Sequence, residues 1–266
     1  MNEKIKVGII GCGFVGGALK AWLEENNSAN VEVLVSDPPK GFNDDLSAID
    51  VAFLQIHVPT EDDGTQDLTL MKQLIKELPD VPVFVRTTIL PGTSDMLTKE
   101  TGHHVCYMPE FLTERTHIED FRKQTMVWPC NIPGNPEASS KYLSLLSSIF
   151  PGKQFSVMSP LEAEITKYAH NVFGAYKVTY FNAVREYCQK MGADWAKVHT
   201  GVLLSGYIND MHTHVPGPDG KFGYGGKCFP KDVNAFTILT QGTALGTLLT
   251  PLHALNVHFR GKEERI

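Results

Sequence analysis

A chain of 266 residues with 42% hydrophobic and 20% charged residues has material for a sizeable core, arranged as two domains or one large one. Its net charge of −6 argues against a general nucleic-acid binder, and no apolar run approaches the roughly 20 residues of a membrane span. The N-terminus MNEKIKVGII runs directly into a strand without a signal-peptide pattern, so a cytoplasmic protein is expected.

In chain order, the first half alternates β-branched runs with helix-compatible stretches. IKVGII, VEVLVS, VAFLQIHV, VPVFVRT and HHVCYM are expected strands, and their continuous apolar character suits a parallel sheet buried on both faces. Residues 16–25 and 68–78 repeat apolar positions at three and four, as crossover helices require. At 159 the pattern changes. Ser159 is placed to cap a helix, with Pro160 in its first turn and Glu162 at the capping-box position, and the periodicity then runs to about residue 190. Shorter helices are expected over 195–204, 232–239 and 248–259, with a Gly-, Pro- and His-rich loop at 211–227 and a charged tail GKEERI. The expectation is an α/β fold: a Rossmann-like doubly wound sheet over 1–158, then an all-α domain over 159–266 built on a long central helix.

Gly11-Cys12-Gly13-Phe14-Val15-Gly16 follows the first strand and opens a helix. The first glycine permits a tight turn, the second lets backbone approach a pyrophosphate, and the third lets helix and strand pack closely. Asp37 ends the next strand, 21 residues past Gly16, where a carboxylate accepts bonds from a ribose diol and repels a 2′-phosphate. NAD is therefore expected over NADP. The competing reading is a glycine turn of structural use only, with Asp37 a surface residue before Pro38-Pro39.

The five cysteines, at 12, 106, 130, 188 and 228, are odd in number and lack any C-x-x-C or Cys/His metal spacing, so neither a disulfide framework nor a zinc site is indicated. Cys228 stands apart. It lies in FGYGGKCFPKD, with Lys227, Lys231 and the amides of Gly225 and Gly226 near enough in sequence to favour a thiolate, although a buried structural cysteine beside a turn fits the local string as well. Among the ten histidines the nearest pairs, His103-His104 and His212 with His214, have no carboxylate or third histidine at an evident ligand spacing, and no metal is expected. Tyr168, Phe173, Tyr176 and Tyr180 recur at helical spacing and are expected in the core.

Six motifs in order, GCGFVG, VPTEDDGTQDL at 58–68, TTILPGT at 87–93, PEFLTE at 109–114, EITKYAHN at 164–171 and GYGGKCFPKD at 223–232, resemble the UDP-glucose/GDP-mannose dehydrogenase family of nucleotide-sugar 6-dehydrogenases. The resemblance implies an NAD-dependent oxidation of a sugar-nucleotide alcohol to the uronate through a Cys228 thiohemiacetal and thioester. It implies that Lys167 and Asn171, four apart on a helix, bond a developing oxyanion, and that Asp232 assists proton removal and positions water. Thr88 and Glu114 are implied beside the cofactor and the active-site water. Val58, Thr60 and Lys231 join Gly11, Gly13, Phe14, Val15, Gly16 and Asp37 in the implied cofactor set. Glu110, Phe111, Leu112, Lys167, Asn171, Lys221 and Gly225 form the implied substrate set.

Each residue also has a plainer reading: a solvated stripe for Lys167 and Asn171, a helix N-cap for Asp232, a surface charge for Glu110 or Lys231, strand-end threonines for Thr60 and Thr88. Family members continue into a third, nucleotide-binding domain, and the sequence ending at Ile266 is expected to lack it; Arg115 stands where a glycine commonly follows the second glutamate. Exposed apolar surface on the long helix predicts a homodimer, with no nucleic acid or membrane partner. Two other functions stay open: an altered pseudo-enzyme that binds NAD and sugar nucleotide without turnover, and a two-electron hydroxy-acid dehydrogenase.

Overall fold

The structure is a computed structural model that describes residues 3–61, 63–124, 126–127 and 135–261. Cys130, Asp62 of the VPTEDDGTQDL run and residues 262–266 of the expected tail lie outside the described residues. Two compact units are formed, Met1–Pro59 with Gln66–Lys167, and Thr60–Thr65 with Tyr168–Ile266.

The apolar runs of the first unit become strands β1 (Ile5–Ile10), β2 (Val31–Asp37), β4 (Val51–Leu54), β5 (Val83–Val85) and β6 (Val105–Tyr107), with a short β3 (Phe42–Asn43) after β2. The sheet order is β3-β2-β1-β4-β5-β6, parallel throughout except for antiparallel β3. This is the doubly wound arrangement that the unbroken apolar runs predict, and every residue of β4, β5 and β6 is buried. The strand order reverses between β1 and β4, and ligands of such sheets gather at that switch point, beyond the strands' carboxyl ends. The strand expected over 51–58 stops at Leu54: Gln55 N still donates to Ile10 O at 2.9 Å, after which the chain leaves the sheet.

Helices α1 (Phe14–Asn26) and α2 (Thr69–Glu77) cover the two expected segments. Three more, α3 (Thr93–Thr101), α4 (His117–Lys123) and α5 (Pro136–Ile149), and a two-stranded parallel ladder of β7 (Met126–Val127) with β8 (Gln154–Phe155), are additions to the sequence reading. The start of α5 does carry a signal, since the Asn135 side chain accepts from Ala138 N at 3.0 Å and Pro136 fills the first turn. Phe53 and Phe84 stack across the sheet at 5.5 Å, while Trp22 of α1 meets Phe121 of α4 and Phe150, just past α5.

The long helix α6 runs Pro160–Met191. Its start is the expected capping box: Ser159 N donates to Glu162 Oε2 at 2.7 Å and Glu162 N to Ser159 Oγ at 3.3 Å. The first compact unit runs to Lys167, inside this helix. Glu164 ties the opening turns of the helix to that unit. Its buried carboxylate reaches the N-terminus of α3, accepting from Gly92 N at 2.6 Å, Ser94 N at 2.8 Å and Ser94 Oγ at 2.7 Å, and so supplies the cap that Gly92 lacks.

The second unit continues with α7 (Trp195–Leu204), capped by Asp194, then α8 (Phe229–Leu239) and α9 (Ala244–Arg260). Helix α8 begins three residues before the expected 232, because Pro230 occupies its first turn with Cys228 as the N-cap residue. The aromatic stripe of α6 divides: Tyr168 is buried and stacks on Phe236 at 5.2 Å, whereas Phe173 and Tyr180 are exposed, against the expectation that all four are core. No described helix is long and apolar enough to cross a membrane.

Burial pushes the Glu164 carboxyl above its ordinary range, against the hydrogen bonds from Ser94 and Gly92 that pull it down. A raised folded-state value means that this stability increment is complete below the unfolded value and declines as pH rises through the folded one. Glu164→Gln replaces one acceptor by a donor, and is expected to lose about 1–3 kcal/mol of unfolding free energy. The gap between wild type and variant, read from denaturant melts between about pH 4 and 7, narrows as pH rises. A gap that widens with pH would refute the assignment.

Candidate active site

In the sheet unit, the glycine motif closes the switch point. Gly11 adopts φ +84°, and a Cβ there would lie 2.6 Å from Gln55 O, so the turn admits only glycine. At Gly16 a Cβ would sit 2.1 Å from Gly11 O, which is the close packing of helix on turn. Gly13 differs: a Cβ there would meet nothing nearer than Lys40 Nζ at 3.8 Å, leaving the backbone open to approach. The α1 N-terminus has no side-chain cap and no acidic residue in its first turn, so its amides are left for an anion. Asp37 Oδ2 accepts from Cys12 N at 2.7 Å and fixes the carboxylate beside this loop, with Lys40 Nζ 3.7 Å away. These features fit a dinucleotide: open amides for the pyrophosphate and a carboxylate for the ribose.

Lys40 and Gln55 are missing from the sequence reading. Lys40 Nζ donates to Cys12 O at 2.8 Å, and Gln55 Nε2 ties Ile10 O, Gly11 O and Phe53 O together at 3.1–3.2 Å. Gln55 Oε1 is buried without a hydrogen-bond partner among the described residues. Burial pushes the Cys12 thiol up. Val58 is buried, and Thr88, half-buried, accepts through its carbonyl from Gln66 Nε2 at 3.1 Å. Phe14 packs edge-on against His117 at 6.1 Å. Val15 and Glu114 complete this set, the first half-buried in the opening turn of α1 and the second exposed ahead of α4.

Glu110 is not a surface charge. It is buried, its Oε2 accepting from Leu112 N at 2.8 Å and its Oε1 from Lys167 Nζ at 3.0 Å, while Lys167 also donates to the Glu110 carbonyl. Lys167 lies over the Phe111 ring at 5.4 Å and is itself buried, so its solvated-stripe reading fails. Behind it, the wholly buried Arg86 guanidinium is pushed down to about 10 by burial, with Glu110 partly offsetting, and packs over Phe121 at 5.3 Å. Its Nε and Nη1 have no hydrogen-bond partner among the described residues.

In the helical unit, Asp232 is not an N-cap. It sits one turn inside α8, buried, with Oδ2 accepting from Asn171 Nδ2 at 2.7 Å and Oδ1 from Lys231 Nζ at 2.5 Å. Asp232 N donates to Cys228 O at 3.0 Å, so thiol and carboxylate stand one turn apart at the start of the same helix, with the half-buried Cys228 at its N-cap. The tip 60–65, which carries Thr60, belongs to this unit, where a Cβ on Gly64 would meet Ile238 at 3.0 Å.

The glycine-rich run ahead of Cys228 is held by α9. Asn256 Oδ1 accepts from Tyr224 N at 2.7 Å and its Nδ2 donates to Tyr224 O at 3.0 Å, while Arg260 reaches the Phe222 and Gly223 carbonyls and pairs with Asp219 at 2.5 Å. A Cβ on Gly225 would lie 2.2 Å from Arg260 Nη2, so the guanidinium lies against this glycine. Lys221 is exposed, its carbonyl closing a turn with Gly217 N at 2.8 Å. Neither Asn256 nor Arg260 is legible as a site residue from sequence, because both lie on an ordinary-looking last helix. Among the described residues, Cys12, Cys106, Cys188 and Cys228 are not joined by a disulfide.

Residues 161–254 match the family model described as the UDP-glucose/GDP-mannose dehydrogenase family, central domain. The UDP-glucose 6-dehydrogenase of Rhizobium meliloti is 30% identical over 223 residues, which is 75% of this chain and 49% of the relative. The GDP-mannose 6-dehydrogenase of Pseudomonas putida is 28% identical over 218 residues, 74% of this chain and 48% of the relative. The chain thus spans about half the length of these relatives. A solved UDP-glucose dehydrogenase from Pyrobaculum islandicum superposes with a TM-score of 0.75 at 22% identity, covering 96% of this chain and 68% of that one, a likeness of fold. Over residues 161–254 the chain carries the central domain of the UDP-glucose/GDP-mannose dehydrogenase family.

Proposed function

We propose that this chain is an NAD-dependent nucleotide-sugar 6-dehydrogenase that oxidises the C6 alcohol of UDP-glucose, or of a related sugar nucleotide, to the carboxylate. The observation that carries the reading is the start of α8: Cys228 at the N-cap, with Asp232 buried one turn on and held by Asn171 and Lys231. A two-electron dehydrogenase has no use for such a thiol.

Gly11, Gly13, Phe14, Val15, Gly16 and Asp37 are the proposed cofactor cradle, with Val58, Thr60, Thr88, Glu114 and Lys231 as further contacts. NAD, when bound, takes up the hydride at each of the two oxidations. The residues supply the rest. A general base removes the C6 hydroxyl proton in the first oxidation. The Cys228 sulfur then forms a bond to the aldehyde carbon, giving a thiohemiacetal. Loss of a second hydride leaves a thioester, and water replaces sulfur at that carbon to release the carboxylate and the thiolate. Lys167 has three donors, two of them committed to Glu110, and the third is assigned to the oxygen that gathers charge. Asn171 is assigned to the same oxygen, and Asp232 to proton removal and to the water. Glu110, Phe111, Leu112, Lys221 and Gly225 are assigned to the sugar-nucleotide side.

A homodimer belongs to the same proposal. Phe173, Tyr180, Tyr187 and Met191 are 65%, 55%, 61% and 62% exposed along α6, a stripe of apolar surface larger than scattered residues leave. Sedimentation equilibrium is expected to give a dimer for the wild type and a monomer for Phe173→Glu/Tyr180→Glu; a monomeric wild type removes this part of the reading.

Incubation with UDP-glucose and NAD is expected to yield two NADH per sugar consumed, and Cys228→Ser to stop formation of the acid. One NADH per molecule of a different alcohol, or cofactor binding without turnover on the sugar nucleotides, would sink the reading. The ribose carboxylate is tested separately by binding. Asp37→Ser is expected to weaken NAD by about 10- to 100-fold in calorimetry, the loss of hydrogen bonds to a charged acceptor. It should also narrow the preference over NADP, since Lys40 remains beside the loop. Unchanged NAD affinity would place the ribose elsewhere.

A further inference from the structure

His199 on α7 and the pair Asp210 and His214 in the following loop are brought together although His199 and Asp210 lie 11 positions apart in the chain. One ligand atom from each lies within 4.8 Å of the others, the only such group of three found among the described residues. We propose that these three side chains form a binding site for a divalent cation of the zinc class, separate from the dehydrogenase groups, which fastens the loop after α7 back onto that helix.

The chemistry of the set favours this class. Two imidazoles and one carboxylate, with a fourth position left to water, is a donor set that zinc accepts, and it offers too few oxygens for calcium or magnesium. Tetrahedral ligand atoms stand about 3.4 Å apart at zinc distances, so the cluster has to contract by about 1 Å. The side chains that must move are free to do so: Asp210 and His214 are 64% and 61% exposed, and they already meet at 2.9 Å. A cation there would take the place of the proton shared between them.

The scaffold around the cluster is fixed. The His199 ring stands 5.2 Å from Trp195 and edge-on to Phe181 at 6.0 Å, and its Nε2 meets the hydroxyl of fully buried Thr213 at 2.8 Å. Thr213 in turn donates to Asp210 O at 2.7 Å, and Lys177 Nζ holds the Asn209 carbonyl at 2.7 Å, so the loop backbone is anchored on both sides of Asp210.

Calorimetric titration of the metal-free full chain with zinc chloride tests the proposal, with cobalt(II) as a second probe whose visible absorption reports a four-coordinate nitrogen and oxygen site. One equivalent is expected to bind, raising the melting temperature. His214→Ala and Asp210→Ala, both at exposed positions that should not disturb folding, are each expected to weaken binding by at least about 10-fold, and the double variant to abolish it. Cys228→Ser is expected to leave binding unchanged. Absence of binding to the wild type, binding that survives in the double variant, or binding that disappears with Cys228→Ser would each overturn the site.

Discussion

Five polar side chains, Glu164, Lys167, Asn171, Thr179 and Asn182, lie buried along α6, and each needs a hydrogen-bond partner because an unpaired polar group away from water costs about 1–3 kcal/mol. Thr179 meets that need within the helix, through Ala175 O, and Asn182 meets it in part, its Nδ2 donating to Val178 O at 2.8 Å. All but Thr179 reach out of the helix. Glu164 finds the α3 terminus, Lys167 finds Glu110, Asn171 finds Asp232, and Asn182 Oδ1 accepts from Gly223 N at 3.1 Å. The family motifs TTILPGT, PEFLTE and GYGGKCFPKD are thereby each tied to a polar residue of one helix. An apolar stripe would bury α6 as well, yet would not specify which segment meets which turn.

That dependence explains why Lys167 is both buried and charged. An isolated ammonium in such a place would be expelled or neutralised, but Glu110 supplies a carboxylate and a carbonyl, and the Phe111 ring closes over the cation. A pair of this kind adds little net stability over apolar side chains of similar volume, and removing one partner is the damaging change. Its retention therefore agrees better with a demand for a fixed ammonium than with a demand for stability. Arg86 is a second buried cation in this unit, packed over Phe121 with the Glu110 charge near it, and its Nε and Nη1 have no hydrogen-bond partner among the described residues.

What the sequence discloses follows the range of each interaction. The capping box of Ser159 and Glu162, the glycine turn at residue 11 and the apolar strands are local, and the spacing predicts them closely. Asp232 shows how a local rule misleads. An acidic residue before an apolar run reads as an N-cap, but Pro230 belongs to the first turn and moves the start back to Phe229, which places Asp232 inside the helix where Asn171 can meet it. Periodicity on α6 likewise gives a stripe without saying which face is covered, hence the exposed Phe173 and Tyr180. Partners far apart in sequence carry no spacing signal at all: His199 with Asp210, Asn256 with Tyr224, and Gln55 with the glycine turn become visible only in the fold.

The run before Cys228 illustrates how composition alone can suggest the wrong physical property. Glycines at 223, 225 and 226 invite the idea of a loose loop that gives way to a substrate. In the fold they serve close approach instead. Gly225 has no side chain because Arg260 lies against it, and at Gly223 a Cβ would meet Asn256 Oδ1 at 2.5 Å. With Asn256 bonded to both polar groups of the Tyr224 backbone and Asn182 bonded to Gly223 N, three backbone groups of the run are fixed before the chain turns into α8. The thiol therefore stands at the end of a clasped segment and at the start of a helix. Its position is set by Asn182 of α6 and by Asn256 and Arg260 of α9 more than by its own neighbours, so the residues whose loss would misplace it are none of those assigned to the chemistry.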